Sequence, residues 1–316
     1  MVDMATPSRA AQNPTRRVFF FGNGVSEGAG LGKERLGGKG AGLAEMTALG
    51  IPVPPGFTID TSVCLDFLRT GDLEGLKPDV EEALARLEDA TGRKFGDPKN
   101  PLLVSVRSGA RSSMPGMMDT ILNLGLTRRA VDGLAAAAGE RFALDCRRRF
   151  LQMYSDIVLE IPRSEFEELL TRKKEEKKVA SDAELTAEDL RWVVERFEEV
   201  VRQRTGRPFP DDPREQLWGA IGAVFRSWDN ERAKKYRQLH RIPEEWGTAV
   251  NVQAMVFGNT GERSATGVAF TRDPATGEKR FYGEFLPNAQ GEDVVAGIRT
   301  PLPLAKDGSG KSLEET

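Results

Sequence analysis

The sequence predicts an α+β protein, because three regions of different character follow one another along its 316 residues. The first alternates short apolar runs with glycine-rich loops and amphipathic segments, which is typical of strands joined to helices. The second is highly charged and nearly free of glycine, which favours helices. The third opens with a long amphipathic segment and continues as apolar runs separated by turn residues, which indicates β-structure.

Composition narrows the class of protein and its partners. Hydrophobic residues make up 39% and charged residues 29% of the chain, a mixture typical of a globular protein with a core. The net charge of −3 includes no basic excess, so nucleic acid is not an expected partner. No apolar run is long enough for a membrane span. Cys64 and Cys146 show no C-x-x-C spacing, which favours buried thiols in a reducing compartment such as the cytoplasm.

Residues 18–126 are predicted to form an α/β lobe, preceded by a disordered tail at 1–17 for which a short organellar transit peptide is the alternative. Its strands are recognised as apolar runs and its helices by apolar residues at helical spacing. The predicted elements are a strand at Val18–Phe21, a helix at Ala41–Leu49 closed by Gly50, a strand at Phe57–Ile59, helical structure at Thr61–Leu87 broken around Gly71–Pro78, a strand at Leu102–Val106 and a loop at Arg107–Asn123.

Residues 127–212 are predicted to be a helical subdomain, and residues 213–303 a second lobe followed by a polar tail at 304–316. Within the helical part, Thr186 and Asp189 have the spacing of a capping box. The proline-rich stretch Gly206–Pro213 marks the boundary between the two parts. The second lobe is predicted to contain one long helix at Glu215–His240 and strands at Ala249–Phe257, Ala265–Thr271 and Lys279–Leu286.

A glycine-rich segment, Gly37-Gly38-Lys39-Gly40, opens the first predicted helix. Backbone N–H groups at a helix start attract anions, and a lysine there can reach a phosphate oxygen. The segment is not a Walker A motif, because the spacing from Gly32 to Gly38 is one residue too long and Gly40 replaces the magnesium-binding hydroxyl residue. A phosphate-binding turn and a tight turn with a solvated lysine both remain open.

A second candidate site is the run from Ser105 to Thr120, in which Arg107 and Arg111 follow a strand among glycines and hydroxyl residues. The planar fork of arginine suits phosphate oxygens. Three methionines, Met114, Met117 and Met118, are unusual in a solvated loop and indicate that this one packs against the protein. A surface loop with solvated arginines is the alternative.

The third region supplies three further candidates. The strand Val250–Phe257 alternates polar and apolar residues, so it could line a slot for adenine or be an ordinary strand. Glu284 is a candidate magnesium ligand, since magnesium prefers carboxylate oxygens, although a solvated or paired carboxylate is the alternative. The single histidine, His240, ends a predicted helix, where its charge complements the helix dipole, and we expect a structural role for it.

Taken together, these strings resemble the pyruvate phosphate dikinase family. The run Met114–Thr120 favours this family over the related phosphoenolpyruvate synthases. The resemblance covers most of the chain in the family's order, at Leu36–Gly56, Leu102–Leu126, Phe150–Pro162, Phe225–Asn230, Trp246–Gly258 and Tyr282–Pro301.

The resemblance implies an ATP-grasp-like nucleotide-binding domain, in which ATP lies between two α/β lobes and a helical subdomain is inserted. In this family ATP phosphorylates a histidine and also inorganic phosphate, and the phosphohistidine then phosphorylates pyruvate, with magnesium accompanying the nucleotide. The resemblance further implies roles for individual residues. Lys39 and Arg107 would hold the ATP phosphates, Arg111 with the loop through Gly116 and Thr120 would close over them, and Gln253, Met255 and Val256 would border the adenine.

The chain also departs from the family pattern. It lacks the strings for the acidic magnesium site, the Gln-x-Arg segment, the phosphohistidine segment and the barrel domain. We therefore expect a C-terminally incomplete fold with no catalytic residue, no complete turnover by this chain alone, and phosphate and pyruvate as substrates only of a full-length enzyme. Two alternatives are a stand-alone nucleotide-binding module that acts with separately encoded histidine and barrel chains, and a degenerate scaffold that no longer binds ATP.

Overall fold

The computed structural model describes residues 16–295 and 300–305. The two predicted tails fall largely outside this part of the chain, since residues 1–15 and 306–316 are not among the described residues. The described strands are β1 Val18–Gly22, β2 Val25–Ser26, β3 Gly56–Ile59, β4 Lys94–Phe95, β5 Pro101–Leu102, β6 Val104–Ala110, β7 Thr120–Leu124, β8 Thr248–Ala254, β9 Ala265–Phe270, β10 Tyr282–Pro287 and β11 Leu302–Pro303.

The helices confirm an α+β protein, as the sequence predicts. They are α1 Lys33–Ala48, α2 Thr61–Thr70, α3 Lys77–Thr91, α4 Arg128–Ala138, α5 Glu140–Ile157, α6 Arg163–Lys177, α7 Ala187–Thr205, α8 Pro213–Ser227, α9 Glu231–His240 and α10 Gly291–Val295, with short 3-10 helices at Glu74–Leu76, Asp182–Glu184 and Glu244–Trp246. Helices α4 to α7 occupy the charged, glycine-poor region, where helix-forming residues dominate. No helix in the described ranges is both long and apolar enough to cross a membrane.

Local capping explains where several helices begin. The predicted capping box is confirmed at the start of α7, where Thr186 Oγ1 accepts from the N–H of Asp189 at 3.2 Å. In return, the N–H of Thr186 donates to Asp189 Oδ2 at 3.1 Å. These bonds satisfy backbone donors that a helix start otherwise leaves unpaired. At the end of α1, Leu49 occupies the cap, and Gly50 follows with a φ of 78°.

The largest sheet has six antiparallel strands in the order β2-β1-β3-β8-β6-β7. One face of it carries apolar side chains that are fully buried, including Phe57, Val106 and Val252, and it packs against α2, α3 and α8. Strand β8 comes from late in the chain and pairs with β3 on one side and β6 on the other. The predicted boundary at residue 213 therefore does not coincide with a change of sheet.

A second sheet contains three strands in the order β11-β10-β9. Its middle strand, β10, buries Phe285 and Leu286, whereas Val268 and Phe270 of β9 stay exposed. The register places Glu284 opposite Val268 on one side and opposite Pro303 on the other. This smaller sheet therefore has a well-packed centre and a largely solvated outer strand.

The predicted loop at Arg107–Asn123 is wrong at both ends. Residues 107–110 continue β6, because they pair with residues 248–251 of β8, and residues 120–124 form β7. Only residues 111–119 connect the two strands. The small residues Ser108 and Gly109 have low strand propensity, so no local signal indicates that pairing with a distant strand extends β6.

The predicted long helix at Glu215–His240 is also wrong, because the chain breaks it into α8 and α9. Helix α8 ends at its cap residue Trp228, and Asn230 begins α9 by accepting a hydrogen bond from the N–H of Ala233 at 2.7 Å. An asparagine competes with helical backbone bonding and favours the cap position. The apolar face that predicts the helix ends at Trp228, and the charged residues after the corner are also helix formers, so composition does not mark the break.

Candidate functional site

One row of side chains crosses the six-stranded sheet from β1 to β7. The strand register pairs Phe19 with Thr58, Thr58 with Asn251, Asn251 with Arg107, and Arg107 with Thr120. Directly paired residues of antiparallel strands project from the same face. Arg107 therefore lies in mid-sheet on the face opposite the apolar core, with polar neighbours on both sides.

Helix α1 covers this face of the sheet. Its residues Leu36 and Ala44 pack with Phe19, the first member of the row. The helix begins at Lys33 and bends at Gly37, which has a φ of 64°. Helical structure resumes at Gly38, so the predicted helix start at Ala41 is three residues too late, and the predicted turn is confined to Gly37. The left-handed φ at this bend is a conformation that glycine adopts without steric cost.

The glycines of α1 allow its backbone to approach the sheet closely. A Cβ atom on Gly37 would lie 1.5 Å from the carbonyl oxygen of Gly109 in β6. A Cβ atom on Gly40 would lie 2.7 Å from Thr58 Cγ2. A side chain on Gly37 would require the helix or the sheet to move, and one on Gly40 would displace the side chains of Thr58 and Asn251. The turn that carries Lys39 is thus held directly against β3, β6 and β8.

Lys39 and Arg107 lie close enough to interact electrostatically. The side chain of Lys39 has solvent-accessible surface, yet the protein around it removes part of its hydration. This desolvation lowers the pKa of Lys39, and the positive charge of Arg107 lowers it further. Two neighbouring cations repel each other unless an anion lies between them. The structure therefore brings together the lysine of the glycine turn and the arginine of the neighbouring strand.

Arg111 occupies a different environment, at the start of the 111–119 loop. Its guanidinium lies over the ring of Trp246, 5.4 Å from the ring centroid. Its Nε atom is buried and has no hydrogen-bond partner among the residues that the structure describes. Stacking of this kind fixes an arginine by its flat face and leaves its N–H edges for other acceptors.

The 111–119 loop packs against the protein, which confirms the interpretation of its methionines. Met114 is buried in the main hydrophobic core, and Met117 and Met118 are partly buried and pack against that core. Asn230 at the corner between α8 and α9 donates from Nδ2 to the carbonyl of Met117 at 3.1 Å. Gly116 forms the exposed tip, with a φ of 71°. The loop is therefore attached on its inner side and open only at its tip.

The end of this loop carries an acid paired with a base. Asp119 Oδ1 accepts a hydrogen bond from Arg232 of α9 at 3.2 Å. Burial raises the pKa of Asp119, and the charge of Arg232 partly opposes that rise. Thr120, the next residue, begins β7 opposite Arg107. The loop end is thus fixed beside the row of polar side chains.

The residues predicted to border adenine do not share one surface. Gln253 lies on the same face as Arg107, and its Nε2 donates to the carbonyl of Pro54 at 2.9 Å. Met255 belongs to the main hydrophobic core. Val256, the next residue, is 67% exposed. The structure brings Gln253 to the candidate site, and the base-binding role of all three residues stays a prediction.

Glu284 and His240 lie elsewhere in the structure. Glu284 is exposed on β10. Within the described ranges, no three His, Cys, Asp or Glu side chains are grouped so that they could hold a metal ion. His240 lies in the last turn of α9, where its ring stacks on Tyr236 with centroids 4.1 Å apart. The magnesium role of Glu284 therefore stays a prediction without an assembled donor set.

Sequence reasoning missed two residues of the row, Thr58 and Asn251. Both are buried, and Thr58 Oγ1 donates to Asn251 Oδ1 at 2.8 Å. A polar residue at every second position of an otherwise apolar strand was a usable signal in β8, because it marks one face of the sheet as polar. The partner strand could not be identified from the sequence, since 193 residues separate this pair.

Comparisons with known proteins agree with the strings recognised in the sequence. The family described as pyruvate phosphate dikinase, AMP/ATP-binding domain, matches residues 33–76 and 74–314. A pyruvate, phosphate dikinase of Rhizobium meliloti is 59% identical over 92% of this chain and 32% of its own length. One from Clostridium symbiosum is 57% identical over 89% of this chain and 32% of its own.

A plant relative gives the same result. Pyruvate, phosphate dikinase 1, chloroplastic, of Zea mays is 56% identical over 93% of this chain and 31% of its own length. The chain thus spans about a third of the length of the curated relatives that it matches.

Proposed function

Because this chain belongs to the pyruvate phosphate dikinase AMP/ATP-binding domain family, we propose that it binds ATP on the sheet face covered by α1. The observation that carries the proposal is that α1 and β6 bring the two cations Lys39 and Arg107 together on this face. Desolvation lowers the pKa of Lys39, and the charge of Arg107 lowers it further. A triphosphate between them would remove the repulsion between the two cations. In a partly desolvated site, such charge pairing is stronger than in bulk water.

The two cations have different tasks in this proposal. Arg107 projects from mid-strand, so its position is fixed by the sheet and its planar fork can bind two phosphate oxygens. Lys39 lies on the glycine turn of α1 and acts as a point charge. Arg111, with Gly116 and Thr120 at the tip and end of the 111–119 loop, would cover the phosphates from the other side.

The base would extend along the end of β8. Gln253 lies on the same sheet face as Arg107, two residues beyond Asn251 on β8, where it pairs with Ser105 in the neighbouring row. Exposed Val256 offers apolar surface, and Met255 supports this segment from the core. Nucleotide pockets combine an apolar wall for the base with a few fixed polar groups, which is the pattern expected here.

We further propose an ATP-grasp-like arrangement of the fold. The lobe at 18–126 would supply the phosphate contacts, the helices of 127–212 would be the inserted subdomain, and the three-stranded sheet within 213–303 would belong to the second lobe. The family resemblance supports this division. The three-stranded sheet β11-β10-β9 lies wholly within 213–303 and is separate from the six-stranded sheet, into which β8 of the same range is inserted.

The chemical step requires parts beyond the described site. In the proposed reaction, ATP, phosphate and pyruvate give AMP, diphosphate and phosphoenolpyruvate through a phosphohistidine supplied by another segment or chain in the cytoplasm. Magnesium would accompany ATP, with Glu284 as its proposed ligand. The described acids do not form a metal-binding group, so we derive no step through the ion. The role that we assign to this chain is to bind and orient the triphosphate.

Isothermal titration calorimetry of the purified chain with ATP and magnesium tests the proposal. The wild type should release heat with a saturable isotherm, and Lys39→Ala should weaken binding, because one charge-assisted contact is lost. Arg163→Ala is a matched control, since Arg163 is an exposed cation of α6 paired with Glu167. Absence of binding by the wild type would identify the chain as a scaffold without nucleotide affinity.

A further inference from the structure

Asn251 lies at the centre of the six-stranded sheet, directly beneath the glycine turn of α1. Its Cα is paired with Arg107 on β6 and with Thr58 on β3. Only 1% of its surface is exposed. A polar side chain enclosed in this way is normally hydrogen-bonded through all of its groups.

The two polar atoms of Asn251 differ in their bonding. Oδ1 accepts a hydrogen bond from Thr58 Oγ1 at 2.8 Å, which fixes the orientation of the amide. Nδ2 is buried and has no hydrogen-bond partner within the described part of the chain. Burying a donor without an acceptor costs free energy, so such a group calls for an explanation.

The surroundings of Nδ2 belong to the segments that carry the two phosphate-binding candidates. A Cβ atom on Gly109, two residues after Arg107 on β6, would lie 2.6 Å from Nδ2. A Cβ atom on Gly40, next to Lys39, would lie 3.0 Å from Oδ1. Glycine at both positions therefore leaves the amide in place between β6 and α1, where any larger residue would displace it.

We propose that Asn251 is a third phosphate-binding group, whose Nδ2 donates a hydrogen bond to an oxygen of the polyphosphate held by Arg107 and Lys39, directly or through one bound water. The inference rests on the proposed function and adds a neutral, orientation-fixed donor to the two cations. Thr58 is a positioning residue in this arrangement, because its hydroxyl holds Oδ1 and so directs Nδ2 away from β3.

The chemistry of the pair favours a phosphate oxygen as the missing acceptor. A phosphate group offers only acceptors, so it matches a donor whose carbonyl partner is already bonded. The amide also shares its row with Arg107, whose guanidinium attracts the same anion. A hydrogen bond to a charged acceptor is stronger than one to a neutral acceptor. Such a bond would offset the free-energy cost of burying the amide donor without a partner in the unliganded protein.

Binding of three probes to the full chain tests the inference: ATP, inorganic tripolyphosphate and adenosine. Asn251→Ala should weaken the binding of ATP and of tripolyphosphate by the same factor, about tenfold or more, and leave the affinity for adenosine unchanged. Thr58→Val keeps the side-chain shape but removes the hydroxyl, so it should also weaken the binding of ATP and tripolyphosphate. Thr58→Ser keeps a hydroxyl and should bind both compounds nearly as tightly as the wild type. Ser155→Ala is the control, because Ser155 Oγ is also buried without a partner but lies in α5.

The outcomes separate the inference from the function on which it rests. If the wild type binds ATP and Asn251→Ala binds ATP and tripolyphosphate with unchanged affinity, the amide has no ligand role and the inference is overturned. An equal loss for adenosine would also overturn it, because that pattern indicates general damage to the site. If Asn251→Ala does not fold, Thr58→Val carries the same test. A wild type that binds none of the probes would overturn both proposals.

Discussion

At the scale of single residues, the two arginines of the candidate site are held in different ways. Arg107 projects from a strand that is paired on both sides, so its backbone is fixed before any ligand arrives. Arg111 lies in a loop and is fixed mainly by its stacking over Trp246. A preorganised group loses less conformational entropy on binding, so Arg107 should contribute more to affinity.

We therefore predict that Arg107→Ala weakens ATP binding by about 1.5–3 kcal/mol, the usual size for a hydrogen bond to a charged group, and that Arg111→Ala weakens it by less. Calorimetric titration of both variants measures the difference. Arg163→Ala, an exposed arginine of α6, should bind ATP like the wild type. Equal dissociation constants for the two site variants would contradict the phosphate assignment of Arg107.

The pKa of Lys39 makes a second residue-scale prediction. It is lowered by desolvation and by Arg107, whereas a bound triphosphate would favour the charged ammonium and raise it. ATP affinity should therefore be full below the lowered pKa and fall as pH rises through it toward the ordinary lysine value of 10.5. Titrations at increasing pH, repeated in buffers of different ionisation enthalpy, would detect proton uptake on binding.

Lys39→Arg is the control for this pH dependence, because arginine keeps its charge at high pH. In that variant the decline in ATP affinity at high pH should disappear.

In the unliganded protein, the pH dependence of stability has the opposite sign. The folded state binds this proton less tightly than the unfolded state, so the cost to stability is present below the lowered pKa and is lost as pH rises past 10.5. An ATP affinity that is independent of pH up to that value would contradict the assignment.

At the scale of elements, the shape of α1 depends on Gly37. The sequence predicts a turn at this glycine but not the contact that the turn makes. The glycine-rich segment was recognised as a turn, and the lysine within it was recognised as a phosphate ligand candidate. That Gly37 interrupts α1 and presses against Gly109 could not be predicted, because the contact joins distant parts of the chain. The local composition predicts an unusual backbone conformation at the glycines, and packing against β6 determines which conformation forms.

Two glycines of α1 should respond oppositely to substitution. Gly37→Ala should lower the free energy of unfolding by about 2–4 kcal/mol, since it combines a left-handed φ with a collision against the Gly109 carbonyl. Gly42→Ala should raise it by about 0.5–1 kcal/mol, because no atom lies within 4 Å and alanine favours helix. Urea denaturation measures both. Equal effects would show that α1 does not press on β6.

The corner between α8 and α9 is the second element with a consequence for the site. The sequence predicts one helix there, because helix-forming residues continue beyond the apolar face that ends at Trp228. Asn230 makes the corner, both as the N-cap of α9 and as the donor that holds Met117 of the 111–119 loop. A residue that caps a helix and anchors a loop couples the two.

Asn230→Ala should therefore lower stability by about 1–2 kcal/mol and also release the loop. Limited proteolysis should then cut within residues 111–119 faster than in the wild type. Asp212→Ala is the matched control, since Asp212 caps α8 through the N–H of Glu215 at 2.8 Å but is not bonded to this loop in the structure. If both variants are cut equally fast, cap loss alone explains the cleavage.

At the scale of the whole molecule, β8 joins the early and late parts of the chain in one sheet. The sequence predicted the strand itself and most of the strands around it, because apolar runs and alternation are local signals. It placed β8 in a separate lobe, because nothing local reports that β3 and β6 leave a gap between them. Likewise, the sequence predicts that Lys39 and Arg107 bind the same phosphates. It does not predict that Thr58 and Asn251 lie beside Arg107 in one row.

The position of β8 predicts the pattern of amide hydrogen exchange. Amides of β3 and β8 should exchange slowest, at rates governed by global unfolding, because both strands are paired on each side and buried. Amides of β9 should exchange faster, since β9 is an outer strand with an exposed surface. Exchange measured by NMR or mass spectrometry tests this order. Comparable protection of β9 and β8 would indicate that the two sheets unfold as one unit.

The late arrival of β8 also constrains how the protein can fold during synthesis. The end of β8 lies 144 residues after the end of β6. At about 5–20 residues per second, a ribosome needs roughly 7–30 s to make that length. Throughout this interval β3 and β6 emerge with open edges that invite pairing with other nascent chains. We therefore expect chaperones to bind the nascent chain while its sheet is incomplete, and to release it once residue 254 has left the ribosomal exit tunnel.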